Sequence, residues 1–338
     1  MKRYIYIFFV LLLVSSMIYA DEGRKGQAGF QFLRIPMGAK QIAMGNSGIA
    51  SVTGANAMYW NPAGVATQKN LEFQFSNVSW FGDVSYTHFT GVAGLGEIGT
   101  IGLGIQYLAY PDIIETTELS PEGTGATFKP YDFGLVLNFS RQLTEQVSFG
   151  LNVKYVSETI ALVSADAYAF DAGLIYSMGY QGLKLGFAIS NYGSTGQFSG
   201  SGLRRFMNRE DGPPNQTPVP MLFEADKIEM PSSVQGGLSF SPVTSDIISI
   251  SVNADYTVNT FSANRTNIGT EWGYKDIVFL RAGYVVNSDY NKTNKGNFNF
   301  GAGIQYEMMQ NFKVVFDYAY ADLGLLDNAQ YITIGIQF

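Results

Sequence analysis

The chain has 338 residues, a formal net charge of −7, no cysteine and one histidine. Charged residues make up 14% of it, against about 25% in soluble domains, and aromatic residues also reach 14%. The negative charge excludes a nucleic-acid-binding protein, because such a protein needs a basic surface. The absence of cysteine and the single histidine exclude a disulfide scaffold and a metal site with several histidine or cysteine ligands.

The first twenty residues have the pattern of a secretory signal peptide. Lys2 and Arg3 precede an apolar run over residues 4–14, and Ala20 supplies a small residue for cleavage. The apolar run is too short for the roughly 20 residues of a membrane-spanning helix. We therefore predict a signal peptide over residues 1–20. Its removal takes away two positive charges, so the net charge falls from −7 to −7 − 2 = −9.

The next stretch, residues 21–66, is rich in glycine and alanine and lacks the alternation found later in the chain. Two short helices are predicted within it, at residues 40–44 and 55–60. The stretch ends at an Asn61-Pro62 turn signal.

The barrel domain is predicted over residues 67–338. From residue 71 onward the sequence alternates between apolar and polar residues with a period of two. One run shows the pattern clearly, with Val147, Phe149, Leu151, Val153 and Tyr155 alternating with Ser148, Gly150, Asn152 and Lys154. Fourteen strands are predicted, at residues 71–80, 82–93, 97–110, 131–142, 146–160, 167–179, 182–195, 232–242, 246–258, 266–274, 277–287, 296–308, 311–322 and 329–338. Many are longer than the usual five or six residues of soluble sheets.

The lengths of the connections distinguish a membrane barrel from a soluble sandwich. Every second connection between the predicted strands is tight. The two long loops, residues 111–130 and 196–231, both belong to the connections that alternate with the tight ones. Outer-membrane barrels have short periplasmic turns, longer outer loops and an even number of strands. The sequence therefore predicts an all-β, transmembrane antiparallel barrel in the bacterial outer membrane.

The last strand ends in Phe338, with Ile332, Ile334 and Ile336 on the same face. We expect this strand to close the barrel against the first one and to be read by the barrel-assembly machinery. A barrel of about fourteen strands is too wide for its own side chains to fill. We therefore predict that residues 21–66 form a plug of short helices in the lumen. The alternatives are a periplasmic cap and an N-terminal strand followed by a loop.

The stretch from Phe32 to Gly64 resembles the N-terminal signature of the PorV/PorQ family, within the wider FadL-like group of outer-membrane proteins. The signature positions within the plug are Gly38, Gly45, Trp60, Asn61, Pro62, Ala63 and Gly64. The resemblance implies a fourteen-stranded barrel with the N-terminal segment inside it. It also implies a role in type IX protein secretion for PorV-like members, or in the transport of hydrophobic molecules for FadL-like members.

Several charged residues fall on the polar face of predicted strands, where they should face the lumen and pair, because charges facing lipid are costly. Arg34 and Lys40 of the plug are the predicted partners of the aspartates. The candidate lumen ion pairs are Arg34, Lys40, Asp132, Asp171, Asp255, Arg281 and Asp317. They would either hold the plug in place or line a polar path or gate.

The long loop at residues 196–231 is the main candidate for contact with a ligand or partner protein. Met221, Leu222, Ala225 and Ile228 stand at helical spacing between Pro220 and Pro231, which predicts a short amphipathic helix. The candidate contact residues are Met221, Leu222, Phe223 and Ile228. The alternative is a lid packed on the barrel rim. Loop 111–130 is acidic, and we expect it to be solvated.

The sequence predicts no enzyme, no cofactor and no metal. Two functions compete. In the first, the protein is an outer-membrane partner in secretion that docks a type IX translocon or its cargo. In the alternative, it is a conduit for hydrophobic small molecules such as fatty acids or hydrocarbons. The expected partners are outer-membrane lipid, the assembly machinery, and either a secretion protein or a hydrophobic ligand, with no nucleic acid.

Overall fold

A computed structural model describes residues 24–208, 217–287, 297–309 and 312–338. The predicted signal peptide, residues 1–20, lies outside these ranges. Among the described residues, no helix combines the length and the apolar character needed to cross a membrane.

Fourteen antiparallel strands form one closed barrel, and each strand pairs with its neighbours in the sequence. The strands are β1 (Glu72–Ser79), β2 (Ser85–Gly94), β3 (Thr100–Ala109), β4 (Tyr131–Gln142), β5 (Val147–Ile160), β6 (Val163–Ser177), β7 (Lys184–Gly193), β8 (Ser233–Thr244), β9 (Ile248–Asn259), β10 (Arg265–Tyr274), β11 (Val278–Asn287), β12 (Asn297–Met309), β13 (Phe312–Asp322) and β14 (Asn328–Gln337). The barrel closes between β1 and β14, where Phe73 pairs with Ile336 and Ser79 with Gln330. The predicted fold class is confirmed, including the number of strands.

The alternation along each strand separates a lipid-facing surface from the lumen. On β5, Leu151 and Val153 point outward and are 42% and 46% exposed, whereas Asn152 and Lys154 point inward and are buried. Apolar side chains on the outer surface avoid the cost of placing polar groups in hydrocarbon, and closure leaves no strand edge with unpaired backbone groups. This is the surface of a membrane barrel, with its polar face turned inward.

Aromatic pairs mark both ends of the barrel. The rings of Tyr107 and Tyr131 lie 6.0 Å apart near the ends that carry the long loops. At the opposite end, the ring centre of Phe338 lies 5.3 Å from that of Phe312 and 6.5 Å from that of Phe73. Such girdles lie at the two membrane interfaces. We call the end with the long loops the outer end and the end with the tight turns the inner end.

The segment before β1 lies inside the barrel. It contains α1 (Ala39–Ala43), α2 (Ala57–Trp60) and two 3-10 helices, Gln31–Arg34 and Pro62–Thr67. The two α-helices agree with the predicted positions. We call residues 24–67 the plug. Its apolar side chains make up much of the buried core, among them Phe30, Met37, Ile42, Ile49 and Val65.

Candidate functional site: the plug and the lumen cavities

The plug runs through the lumen from the outer end to the inner end. At the outer end, Gly26 donates its backbone N–H to Phe261 over 3.1 Å, and Gly29 donates to Glu229 over 3.0 Å. Arg24 forms an ion pair with the Glu229 carboxylate. The plug's last helix ends at Thr67, close to the inner start of β1. The plug therefore connects the long outer loop to the inner end of the barrel.

The Asn-Pro-Ala signature joins separate parts of the plug to one another and to the barrel. Asn61 donates to the Ile49 carbonyl over 2.9 Å and accepts the Ala63 backbone N–H over 3.1 Å. Ser140 on β4 donates its hydroxyl to the Pro62 carbonyl over 2.7 Å. Trp60 precedes the turn and donates its indole N–H to the Met37 carbonyl over 2.8 Å.

The three signature glycines lie where a side chain has no room. Gly38 precedes α1 with a φ of 83°, and Gly45 follows it with a φ of 68°. A Cβ on Gly45 would lie 2.7 Å from the backbone nitrogen of Tyr284 on β11, and one on Gly64 would overlap the Val52 carbonyl. Gly45 is therefore required by the close approach of the plug backbone to the barrel, and Gly64 by close packing within the plug.

Side chains of the barrel satisfy backbone groups that the short plug helices leave unpaired. Asn267 donates to the Asn46 carbonyl over 3.0 Å, and Asn152 donates to the Met58 carbonyl over 2.8 Å. Asp255 accepts the backbone N–H of Gly48 over 2.6 Å and that of Ile49 over 3.0 Å. Unpaired buried backbone groups are costly, so these contacts fix the plug in register with the wall.

Two groups of buried charges face the lumen. Lys154 Nζ lies 2.7 Å from Asp171 Oδ2. On the other side of the barrel, Arg281 Nη1 lies 2.6 Å from Asp317 Oδ1, and Arg281 Nε lies 2.6 Å from Glu271 Oε2. Lys40 of the plug completes this second group at 3.1 Å from Glu271. The structure therefore brings together Lys40, Arg281 and Asp317 of the predicted set.

Asp171 also forms an ion pair, with Lys154. The predicted pairing of Arg34 and Lys40 with aspartates is wrong, and so are the ion pairs predicted for Asp132 and Asp255. Lys40 pairs with a glutamate that the sequence analysis missed, although Glu271 shares its strand face with the inward-pointing Asn267. Arg34 has no carboxylate at ion-pair distance in the part of the chain that the structure describes, and it donates to the Gln31 side chain over 2.9 Å. Burial and the neighbouring Arg265 guanidinium lower the pKa of Arg34. Asp255 binds backbone N–H groups, and Asp132 accepts the Tyr110 hydroxyl over 2.9 Å.

The predicted helix in the long loop is also wrong. Val219–Leu222 is a strand that pairs with Arg204–Met207, and we call this hairpin the ribbon. Lys227–Ile228 pairs with Gly196–Gln197. Backbone pairing with these distant segments outweighs the weak helical periodicity of so short a stretch.

The candidate contact residues therefore separate into two places. Met221, Leu222 and Phe223 lie on or beside the ribbon and are more than half exposed. Ile228 packs against the plug, close to Gly29. Loop 111–130 is largely exposed, as expected.

A cavity of about 300 Å³ lies at the outer end of the lumen, above the plug. Its floor includes Ile35 and Pro36, and its wall carries more apolar than polar surface. The apolar lining residues are Ile35, Pro36, Trp80, Val285, Ala321, Leu323, Leu326 and Tyr331. We call it the outer cavity. No local sequence pattern indicates this lining, because these residues come from the plug, two loops and three strands.

A second cavity of about 270 Å³ lies at the inner end. It is mainly polar, and Lys40, Glu72, Gln74, Lys313 and Asp317 are among its lining residues. We call it the inner cavity. A third space, between the plug and β5–β10, measures only about 40 Å³ and has room for about three waters.

No group of three metal-ligating side chains occurs among the described residues. No model of a protein family and no curated protein matches the sequence.

Solved structures do match the fold. The toluene transporter TbuX of Ralstonia pickettii superposes with a TM-score of 0.53 at 15% identity, covering 92% of this chain and 98% of that one. The P. putida toluene transporter TodX gives 0.54 at 14% identity, with coverages of 89% and 96%. A Pseudomonas aeruginosa FadL homologue gives 0.50 at 12% identity, with coverages of 90% and 98%. The chain thus has the fold of these FadL-like outer-membrane barrels.

Proposed function

We propose that the protein is a non-enzymatic conduit that carries hydrophobic small molecules across the outer membrane. The observation that supports this proposal is the outer cavity, a space of about 300 Å³ at the mouth of the plugged barrel whose surface is more apolar than polar. Ligand sites are mostly apolar concavities with a few polar groups. Here eight apolar residues line the cavity, together with polar residues that include Arg34, Arg265 and Asp322. The neighbours with this fold include a monoaromatic hydrocarbon channel and toluene transporters, which supports the same class of cargo.

The ribbon fits a capture step in this proposal. Phe206 and Leu222 are 69% and 70% exposed. Large exposed apolar side chains at an aqueous surface mark binding surfaces. A hydrophobic molecule would meet the ribbon first and then enter the outer cavity.

The test is uptake of labelled toluene and of a labelled fatty acid by cells that depend on this barrel. Leu323→Asp replaces part of the apolar lining with a carboxylate next to Asp322. We expect uptake to fall about tenfold or more, because an apolar ligand would have to displace the water bound to that carboxylate. Leu119→Asp is the matched control, because Leu119 is 96% exposed in the acidic loop. Equal uptake by all three proteins would contradict the proposal.

The resemblance of the plug to the PorV/PorQ signature supports a second candidate, a docking partner in type IX-like secretion. The observation in its favour is the same exposed apolar ribbon, which a protein partner would also cover. The discriminating experiment is Leu222→Asp combined with Phe223→Asp. Loss of protein export with normal toluene uptake would favour docking, and loss of uptake alone would favour the conduit.

A further inference from the structure

The inner cavity lies where β1, β13 and β14 meet the plug at the inner end of the barrel. Glu72 and Lys313 each pair with Gln337, so the three side chains form one row at the mouth of the cavity. One row deeper, Gly335 presents no side chain, and a Cβ placed there would find its nearest atom, Val315 Cβ, at 3.6 Å. The wall is therefore hollow behind a row that carries two charges.

Glu72 and Lys313 place opposite charges at the two ends of this row. Adjacent strands lie about 4.8 Å apart, so the backbones of β1 and β13 are separated by roughly 10 Å. The two charges attract each other, but they do not form an ion pair. Among the residues that the structure describes, Lys313 has no carboxylate at ion-pair distance and no hydrogen-bond partner. A gap therefore separates a positive group from a negative group at the mouth.

Both groups have capacity left for a ligand. Glu72 Oε1 accepts the Ala55 backbone N–H over 3.1 Å, which is the one hydrogen bond of this carboxylate within the described part of the chain. A carboxylate has about four acceptor positions, and a lysine ammonium has three donors. Glu72 can therefore accept from an ammonium group, and Lys313 can donate to a carboxylate.

The other charges of the lining already have partners. Asp317 Oδ1 lies 2.6 Å from Arg281 Nη1, and Lys40 Nζ lies 3.1 Å from Glu271 Oε2. Within the lining and its ion pairs, three cations match three carboxylates: Lys40, Arg281 and Lys313 against Glu72, Glu271 and Asp317. Electrostatic complementarity therefore favours a ligand that has no net charge but carries one charge of each sign.

Side-chain amides line the space between the two charged groups. They belong to Asn56, Gln68, Gln74, Gln305 and Gln337. An amide offers both donors and an acceptor, so this lining matches the N–H and C=O of a peptide group. The volume of about 270 Å³ is near the lower limit of ligand pockets, about 300 Å³, so the ligand must be small. Two extended residues span about 7 Å, which fits between side chains whose backbones lie roughly 10 Å apart.

We propose that the inner cavity binds a small zwitterion of the dipeptide class, with its ammonium group at Glu72 and its carboxylate at Lys313. Tight turns mark the periplasmic end of such a barrel, so the ligand enters from the periplasm. The site does not depend on the proposed conduit function, because the inner and outer cavities share no lining residue.

The ligand class is tested by calorimetric titration of the purified full-length barrel in detergent micelles with the dipeptide Ala-Ala. N-acetylated Ala-Ala lacks the ammonium group, and Ala-Ala amide lacks the carboxylate. We expect each blocked peptide to bind about tenfold more weakly or worse, because each loses a charge-assisted hydrogen bond. Absence of Ala-Ala binding, or equal binding of all three peptides, would overturn the proposal.

The position of the site is tested with two conservative variants. Lys313→Gln should weaken binding of Ala-Ala about tenfold and leave binding of Ala-Ala amide unchanged. Glu72→Gln keeps an oxygen for the Ala55 N–H, and it should weaken binding of Ala-Ala but not of the N-acetylated peptide. The controls are Lys275→Gln and Glu97→Gln at exposed inner turns.

Two outcomes would refute this position: wild-type affinity for Ala-Ala in both site variants, or an equal loss in the control variants. The change in electrophoretic mobility on heating checks that each variant is folded. If Ala-Ala binds as expected but cells take up no toluene or fatty acid, the conduit function fails and the zwitterion site stands.

Discussion

The Asp255 carboxylate on β9 lies 2.6 Å from the backbone nitrogen of Gly48 in the plug. Asp255 was expected to form an ion pair, but it instead binds two backbone N–H groups where the plug has no helix of its own. Its role is therefore to hold the peptide backbone of the plug in position. The first prediction concerns this contact.

Asp255→Ala leaves the N–H groups of Gly48 and Ile49 without an acceptor inside the lumen. Each buried unsatisfied group costs about 1–3 kcal/mol, so the plug should loosen markedly. Limited proteolysis of the barrel in detergent should cut the plug faster than in the wild type. Asp246→Ala, at an exposed turn, is the control. Identical cleavage rates for the two variants would count against the anchoring role.

Gly283→Ala should destabilise the contact between the plug and β11. A Cβ on Gly283 would overlap the backbone of Met44 and Gly45, whereas one on Gly236 of β8 would meet nothing within 4 Å. Overpacking of this kind costs about 1–3 kcal/mol. The midpoint temperature of barrel unfolding should be lower in Gly283→Ala than in the wild type. It is measured from the change in electrophoretic mobility when the folded barrel is heated. It should stay unchanged for Gly236→Ala, and a fall in both would indicate a general loss of strand stability.

Asp171→Ala should be more damaging than Lys154→Met. Asp171 also accepts the Asn152 amide over 2.7 Å and the Asn191 backbone N–H over 2.8 Å, so it keeps two donors without Lys154. Removing Asp171 leaves Lys154 buried with only the Asn191 side chain, and breaking a buried pair in this way costs about 3–5 kcal/mol. Chemical unfolding in detergent micelles measures the free energy of unfolding of each variant. A larger loss in Lys154→Met than in Asp171→Ala would contradict this account.

The tryptophans report the orientation of the barrel wall. Trp272 on β10 is 60% exposed on the outer surface, whereas Trp60 is 5% exposed inside. In bilayers containing brominated lipids, the fluorescence of Trp272 should be strongly quenched and that of Trp60 should not. Variants that retain one tryptophan each make the comparison. Quenching of Trp60 would mean that the plug is not enclosed by the wall.

The strand pattern was predictable because a membrane barrel imposes a period of two on every strand and sorts its connections by side. The even strand number and the closing strand at Phe338 follow from the same constraint. The two plug helices were also predictable, because each falls in a local run of residues favouring a helix. The helix predicted at residues 221–228 was wrong because its partners, Arg204–Met207 and Gly196–Gln197, are distant in sequence.

The alternation of apolar and polar residues also placed Asp171, Arg281 and Asp317 on the lumen side, but it did not assign the residues with which they pair. The alternation along a strand shows which face a residue lies on. The residue with which it pairs depends on the relative height of two strands in the barrel and on the path of the plug. Lys40 meets Glu271 for that reason, and Arg34 does not meet an aspartate.

The sequence by itself determined the class of the fold: a plugged, fourteen-stranded transmembrane barrel with an apolar exterior. Membrane physics forces that pattern onto each strand locally, so it is readable one strand at a time. Only the tertiary structure decided which polar groups hold the plug and where the outer and inner cavities lie. Those features depend on the spacing between the plug and several distant strands, which no local pattern encodes.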